Sequence, residues 1–535
     1  MQTASLIRTS TYGWDTVYAV RFSELNKAIV RQKTSPRQLE ESVQDEGDTY
    51  RVSGEFGDWQ LTTGGDGRNL RLALPLTAST YTTPTQVYAL SPLTLVVEVS
   101  LAWVNTGPRN GADTHELRVG GATATAVVLA DLTDWGSNTL GEASKSFYTA
   151  LVQNWLGKHL GSFQQVFSTL SMNRQLDDSQ EGFQWLMPTG TPLYAVTDRN
   201  DELANSFFGV LCMTENRPAP GTHQLDAFAI PDGAASAFLI SPERIITNML
   251  LPGMQFLFAG KPGPDQFLIS PDGRTISNKN ALKFSEQSLE NGRHVYPRIK
   301  AGNFGLEVRD NRIDMMMSGL YFDFLPGTTV TITHSSSVGL AVSDTNHFKM
   351  DVVGTPLTSA TITSSTGVLA AQIVGTIAAA LFGAAMSGVV GALAEGGATF
   401  IASSQNATIA AIRTAVTASV GRVTNILPTA FAGAAAGLSG MAAPFTTFFA
   451  ANWGKIFAGT VGIVAGGMAS LVPSIVGYFA NELASEVPTL DEFGTQALAQ
   501  LKWPLSDKEG YKLVGGSLNG ALQLIIALPP EPAAI

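Results

Sequence analysis

TYGWDTVYAVRFSELNKAIV, residues 11–30, is the stretch that decides how the fold begins. Residues 12–20 alternate with the period of two that is typical of a half-buried strand. The residues that follow place four apolar side chains on one helical face: Phe22, Leu25, Ala28 and Ile29. This spacing predicts an amphipathic helix, with Ser23 placed to cap its start and Pro36 beyond its end.

The rest of the first 140 residues shows the same alternation, which predicts an antiparallel β region. Its further strands are predicted at residues 48–61, 69–76, 86–104 and 116–130. The cluster from Gly64 to Gly67 predicts a hairpin turn, because glycine accepts positive φ.

A long amphipathic helix is predicted at residues 142–170. Its broad apolar face carries Phe147, Leu151, Trp155, Phe163, Phe167 and Leu170. Strands are then predicted at residues 183–196, 207–213, 256–258, 267–270, 305–308, 319–324 and 328–333. A last strand pair, at residues 511–528, is expected to close the fold.

Residues 352–481 form an apolar segment unlike any other part of the chain. Its only formal charges are Glu395, Arg413, Arg422 and Lys455. Such a segment must be buried in protein or in lipid, because charged side chains keep a helix face in water. Gly/Ala-rich helices are predicted at residues 367–393, 407–427, 429–453 and 456–479, the first and last with small residues every four positions.

These patterns predict an α+β protein with four parts. Residues 1–200 are expected to form a first lobe and residues 201–355 a second, β-rich lobe. Residues 356–483 are expected to form the apolar helical segment, and residues 484–535 to return as strands to the second lobe. The length of 535 residues is too great for one compact core.

Charge and cysteine content narrow the classes of function. The net charge is −11 and no basic run occurs, so DNA or RNA is not an expected partner. Cys212 is the only cysteine, so the fold does not depend on an intrachain disulfide. Residues 1–12 do not have the pattern of a secretory signal peptide. We therefore expect synthesis in the cytoplasm, with any release through a specialised or lytic route.

The sequence lacks the motifs of known catalytic sites. The six histidines are scattered, with no pair at metal-ligand spacing. Cys212 lies in an apolar strand, which favours a buried hydrophobic residue over a nucleophile. Gly64 to Gly67 lacks the Lys and Ser/Thr of a phosphate loop, and no Gly-x-Ser-x-Gly elbow occurs. We expect no enzymatic activity, no metal and no cofactor.

The remaining candidate features are apolar, namely the wide apolar faces of the predicted helices and the apolar segment. Sheets that curve around a long helix can enclose a tubular cavity suited to an acyl chain. The candidate lipid or membrane contacts are Phe147, Leu151, Trp155, Phe163, Phe167, Ile377, Leu381 and Phe382. The alternative for each of them is a fully packed core.

The opening motif resembles a known family. TYGWDTVYAV and LNKAI, at residues 11–20 and 25–29, are similar to the start of the accessory proteins encoded beside botulinum neurotoxin genes. These are the clostridial OrfX proteins and their companion P-47-type family. Further similar blocks are FGDWQL at 56–61, LRLALPL at 70–76, residues 185–196, Trp503-Pro504 and LNGALQ at 518–523.

The resemblance implies a TULIP-like fold, in which curved antiparallel sheets wrap long helices in two lobes. It implies no catalytic residues. It implies a component of a bacterial toxin system, neurotoxic or insecticidal, that binds a lipid, another apolar ligand or a toxin protein partner. Within the shared motifs, Trp14 and Trp59 are expected to pin strand to helix while each indole N–H finds a carbonyl. Asp15 is expected to cap the helix that follows or accept in a turn.

The apolar segment leaves two membrane alternatives open. In the first, the helices of residues 367–479 leave the soluble fold and insert as a pore-forming toxin, since a span needs about 20 apolar residues. Their high Gly and Ala content makes them only moderately hydrophobic, which weighs against insertion. In the second, the chain is a permanent membrane protein, which the acidic flanks and the lack of positive clusters disfavour.

Overall fold

The structure is a computed structural model of the chain. It describes residues 8–109, 112–119, 127–128, 134–172, 185–254, 258–260, 262–284, 287–288, 294–309, 311–342, 348–352, 357–364, 389–394, 397–403, 501–503 and 512–527. The chain divides into two compact units. The N-terminal unit comprises residues 7–241, 490–515 and 523–535, and the other unit comprises residues 1–6, 242–489 and 516–522.

Residues 8–241 form two helices and fourteen strands in the described ranges. In chain order these are β1 (Thr16–Arg21), α1 (Phe22–Gln32), β2 (Gln38–Asp45), β3 (Asp48–Phe56), β4 (Gln60–Asp66), β5 (Asn69–Thr82), β6 (Val87–Leu90), β7 (Leu93–Val99), β8 (Leu101–Arg109), β9 (Ala112–Val119), β10 (Val127–Val128), α2 (Glu142–His159), β11 (Val166–Met172), β12 (Pro188–Thr197), β13 (Phe207–Thr214) and β14 (Ser236–Ile240). Short 3-10 turns occur at Leu160–Ser162 and Leu203–Asn205.

The chain then forms one short helical segment and a further series of strands. The helical segment joins α3 (Pro242–Arg244), a π-helical stretch (Ile245–Leu250) and α4 (Leu251–Met254), and a 3-10 turn follows at Pro264–Gln266. The strands are β15 (Phe267–Ile269), β16 (Thr275–Asn278), β17 (Leu282–Lys283), β18 (Gln287–Ser288), β19 (His294–Val295), β20 (Arg298–Ile299), β21 (Phe304–Val308), β22 (Ile313–Leu325), β23 (Thr328–Val342), β24 (Phe348–Val352), β25 (Leu357–Ser364), β26 (Val389–Ala394), β27 (Gly397–Ser403), β28 (Leu501–Lys502), β29 (Lys512–Asn519) and β30 (Ala521–Ala527).

The opening strand lies inside a six-stranded sheet with the order β12-β13-β1-β14-β30-β29. β1 is antiparallel to both neighbours, so that Tyr18 lies opposite Val210 on one side and Phe238 on the other. Every residue of β1, β13 and β14 is buried. Both faces of this sheet are therefore covered, which explains why β13 and β14 are continuous apolar runs.

A seven-stranded sheet has the order β10-β7-β5-β3-β2, with β4 and β6 pairing to β5. In β5, Leu70, Leu72, Leu74 and Leu76 are buried and the residues between them are half-buried, which is the predicted period of two. A four-stranded sheet, β28-β11-β9-β8, completes the sheets of the N-terminal unit.

The second unit contains an eleven-stranded sheet, whose main path runs β15-β16-β21-β22-β23-β25-β27-β26. Its strands are antiparallel, with Val330 opposite Phe322 and Ile362. These three side chains are almost fully buried and form its apolar face. The described chain is thus an α+β protein dominated by antiparallel sheets, as the sequence predicts.

The first helix confirms one boundary signal and corrects another. α1 ends at Gln32, followed by Lys33 in the left-handed conformation and before Pro36, as predicted. Ser23 does not cap its start, because the N-cap residue is Arg21 and no side chain makes a capping hydrogen bond there. Instead, the Phe22 N–H donates to the Ser206 carbonyl at 3.0 Å, so a neighbouring segment satisfies the helix end.

The second helix is shorter than the prediction. α2 ends at His159, and the predicted helical residues Phe167 and Leu170 lie on β11. The prediction was wrong there because apolar residues three apart can also both be buried on a strand with an irregular register, and β11 has such a register shift between Val166 and Ser168.

The apolar segment is described only in part. The prediction of a helix up to Leu393 is wrong at its end, because residues 389–394 and 397–403 form the paired strands β26 and β27. Residues 357–364 also form a strand, β25, although the helical segment was expected to begin at residue 356. The other predicted helices, at residues 407–427, 429–453 and 456–479, lie outside the described residues. Among the described helices, none is long and apolar enough to cross a membrane.

Candidate functional site

Helix α2 packs against strands β2 and β3 of the seven-stranded sheet. Its buried face consists of Tyr148, Thr149, Leu151, Val152, Trp155 and Leu156. The ammonium group of Lys158 lies 2.8 Å from the largely buried carboxylate of Glu41 on β2, which fixes the end of the helix on the sheet.

A row of aromatic rings begins under α2. The Trp155 ring lies 5.3 Å from the Phe56 ring, and Phe56 lies 5.5 Å from Trp59 in an edge-to-face contact. Trp59 in turn lies 5.0 Å from Phe163, just beyond the end of α2. All these distances fall within the range of favourable aromatic pairs.

The row continues into the neighbouring sheets. Phe163 contacts Phe167 at 6.2 Å, and Phe167 contacts Phe208 on β13 at 6.3 Å. Phe208 then contacts both Tyr194 and Trp503, at 5.8 and 6.1 Å. We call the eight residues from Trp155 to Trp503 the aromatic row: Trp155, Phe56, Trp59, Phe163, Phe167, Phe208, Tyr194 and Trp503. Each of them is at most 5% exposed.

The structure places four of the eight predicted contact residues in this interior. Trp155, Phe163 and Phe167 belong to the aromatic row, and Leu151 is buried beside it on α2. Phe147 is different, because 38% of its side chain is exposed. A helix has 3.6 residues per turn, so residues spaced four apart do not stay on one face. Phe147 therefore lies outside the buried face, which is centred on Val152. Ile377, Leu381 and Phe382 lie outside the described residues.

The two motif tryptophans differ in their hydrogen bonds. The Trp14 indole N–H donates to the Thr222 carbonyl at 3.1 Å, which confirms the prediction. Trp59 packs as predicted, but its buried Nε1 has no acceptor within the described part of the chain. A buried donor without an acceptor is costly, so this N–H marks a polar point inside an apolar row.

Asp15 has a different role from the predicted one. Its carboxylate is buried and accepts from the Thr214 N–H at 2.9 Å, and it pairs with Arg217 at 2.5 Å. It therefore ties β1 to the turn after β13 and does not cap α1. Sequence reasoning could not find these partners, because nothing in the local pattern points to residues about 200 positions away.

Burial raises the pKa of two ionisable side chains, Cys212 and Tyr148. Burial, and then the nearby Asp15 carboxylate, raise the pKa of the Cys212 thiol, so it stays protonated and is a poor nucleophile. Burial likewise raises the pKa of Tyr148 to about 12, although its hydrogen bond to Ser79 acts in the opposite direction. Across the ranges that the structure describes, no group of three or more His, Cys, Asp or Glu side chains could hold a metal ion.

The sheet-rich fold is that of solved P47 proteins. The structure of P47 from Clostridium botulinum A2 covers 97% of this chain and 99% of its own length, with a TM-score of 0.57 at 14% sequence identity. P47 of Clostridium botulinum E1 covers 97% of this chain and 100% of its own length, with a TM-score of 0.54 at 14% identity. At these identities the likeness shows the fold alone.

The chain belongs to the OrfX-like family, described as Protein OrfX2/OrfX3/P47, whose profile matches residues 11–437. It is 28% identical to Protein OrfX3 of Paraclostridium bifermentans over 54% of this chain, and 27% identical to Protein OrfX3 of Clostridium botulinum over 52%. These matches span 62% and 61% of the two relatives. The resemblance inferred from the opening motif is confirmed.

Proposed function

We propose that this protein is a non-enzymatic, TULIP-like component of a bacterial toxin gene cluster that holds a lipid or another apolar ligand along its aromatic row. Family membership supports the toxin-cluster context. The observation that carries the ligand proposal is the row itself, which runs from Trp155 through Phe163 and Phe167 to Phe208 without a charged side chain among its members.

The chemistry of the row suits a long apolar molecule with a single polar group. Its rings provide an extended surface for an acyl chain, since large aromatic side chains bury apolar area and stay rigid. The Trp59 indole N–H, which lacks an acceptor among the described residues, would donate to an ester or carboxyl oxygen of the ligand. In this proposal Trp59 orients the ligand, and its neighbours Phe56 and Phe163 form the apolar walls.

The proposal is tested by extracting the purified full-length protein with organic solvent and analysing the extract by mass spectrometry. We expect a co-purified apolar molecule in stoichiometric amount. The protein should also take up a fluorescent fatty-acid ester, with weaker binding in Trp59→Phe, which keeps the ring and removes the N–H. Trp135→Phe, a change in a half-buried ring outside the row, is the matched control. An empty extract together with no uptake of the probe would leave a protein-partner role as the function.

A further inference from the structure

An exposed apolar surface lies where α2 begins, beside the tip of the β2–β3 hairpin. Phe147 stacks on Tyr50, with ring centroids 4.8 Å apart and an interplanar angle of 20°. Tyr50 lies directly opposite Val43 in the hairpin. Phe147 is 38% exposed and Val43 36%, so these side chains are not part of the core. We call these three residues the aromatic patch.

Acidic residues border the aromatic patch. The hairpin turns at Glu46 and Gly47, both with positive φ (48° and 98°), which is the geometry of a tight two-residue turn. This turn places Asp45 directly opposite Asp48. Because strand side chains alternate, both carboxylates project from the same face of the hairpin as Val43 and Tyr50.

This arrangement opposes folding. Like charges directly opposite each other in an antiparallel pair are destabilising. Residues 42–50 contain no Lys or Arg, and residues 146–157 of α2 carry no charged side chain. The cations on the neighbouring parts of these elements have partners, since Arg51 pairs with Glu40, Lys158 with Glu41 and Lys145 with Glu142. The fold therefore retains a like-charged pair, which does not stabilise the hairpin, next to the stacked rings of Phe147 and Tyr50, of which Phe147 is exposed.

We propose that the aromatic patch and the acidic turn together dock a cationic segment of a partner protein. An apolar side chain of the partner would lie on Phe147 and Tyr50, and its Lys or Arg side chains would meet Asp45, Glu46 and Asp48. Charge complementarity selects this occupant, because the same carboxylates repel anionic headgroups and a phosphate backbone. The surface is separate from the aromatic row, so this inference and the proposed lipid binding stand or fall independently.

The test titrates the purified full-length protein into a fluorescein-labelled amphipathic Lys/Leu peptide and follows fluorescence anisotropy. The same peptide with Glu in place of Lys is the charge control. We expect the Lys/Leu peptide to bind the wild type. Its affinity for the variants D45N/D48N and F147S should be lower by about tenfold or more. Binding should also weaken as salt is added, because exposed charges are screened.

Two matched control variants separate the docking surface from general acidity and general hydrophobicity. D201N/D265N removes two exposed carboxylates elsewhere, and L203S removes another apolar side chain that is 39% exposed. Both should bind like the wild type. The inference is overturned if the Lys/Leu peptide does not bind, if the controls weaken binding as much as the docking variants, or if the docking variants instead lose binding to anionic phospholipid vesicles.

Discussion

At the scale of single residues, Trp14 and Asp15 in the opening motif both bond to residues about 200 positions away, but only the role of Trp14 was predicted. The indole N–H of Trp14 donates to a backbone carbonyl, as predicted from its position in the motif. Asp15 is instead committed to Thr214 and Arg217, which only the pairing of β1 with β13 brings near it. A short polar side chain in a turn can accept from many donors, so its partner depends on the surrounding fold.

Tyr148 gives a prediction at this scale. Burial raises the pKa of Tyr148 from 10.0 to about 12, so the folded state holds the phenol proton more tightly than the unfolded chain does. Its contribution to stability is therefore complete below pH 10 and is lost as the pH rises towards 12. The loss should amount to at most about 3 kcal/mol.

Urea unfolding between pH 8 and pH 11.5 measures this effect. Tyr148→Phe should flatten the alkaline fall in the free energy of unfolding relative to the wild type. Tyr296→Phe, at a side chain that is 44% exposed, is the control for removing a phenol elsewhere in the chain. Equal slopes for the wild type and Tyr148→Phe would show that the hydroxyl is not buried as described.

At the scale of elements, α2 and β11 show how one apolar run can divide between two kinds of structure. The helix ends at His159, a 3-10 turn follows, and β11 pairs with β9 and β28. Phe167 on β11 is completely buried, and Phe147 on α2 is exposed, although both belong to the apolar face that was predicted for residues 142–170. Packing against the sheets buries Phe167 and leaves Phe147 partly exposed.

This division predicts unequal costs of truncation. Phe167→Ala should lower the free energy of unfolding by about 3–5 kcal/mol, because it leaves a cavity among the packed rings. Phe147→Ala should lower it by less than about 1 kcal/mol, since its ring is already partly in water. Chemical denaturation of the two variants provides the comparison. Similar losses would indicate that residues 142–170 form the single amphipathic helix that the sequence pattern suggests.

At the scale of the whole molecule, the sheets are assembled from distant parts of the chain. The six-stranded sheet combines β1, strands from residues 188–240 and the C-terminal pair from residues 512–527. The proposed carrier function needs apolar surface that is closed off from water, and every residue of β1, β13 and β14 in this sheet is buried.

A vesicle assay tests this view against membrane insertion. If the protein binds lipid while its fold stays closed, it should not release dye from phosphatidylcholine or phosphatidylserine vesicles at neutral or acidic pH. A known pore-forming toxin provides the positive control for the assay. Leakage would favour the alternative in which residues 367–479 insert into the bilayer.

The sequence by itself determined the sheet-rich class, the family, the strand-to-helix opening and a strand pair within residues 511–528. These features depend on local periodicity, turn residues and a contiguous motif. Only the tertiary structure decided where α2 ends, that residues 389–394 form a strand, and that Phe147 faces water. In the first two cases an apolar run suits either a helix or a strand, and pairing with sheets far away in the sequence selects between them. Phe147 is exposed because the face of α2 that packs on the sheet is centred on Val152.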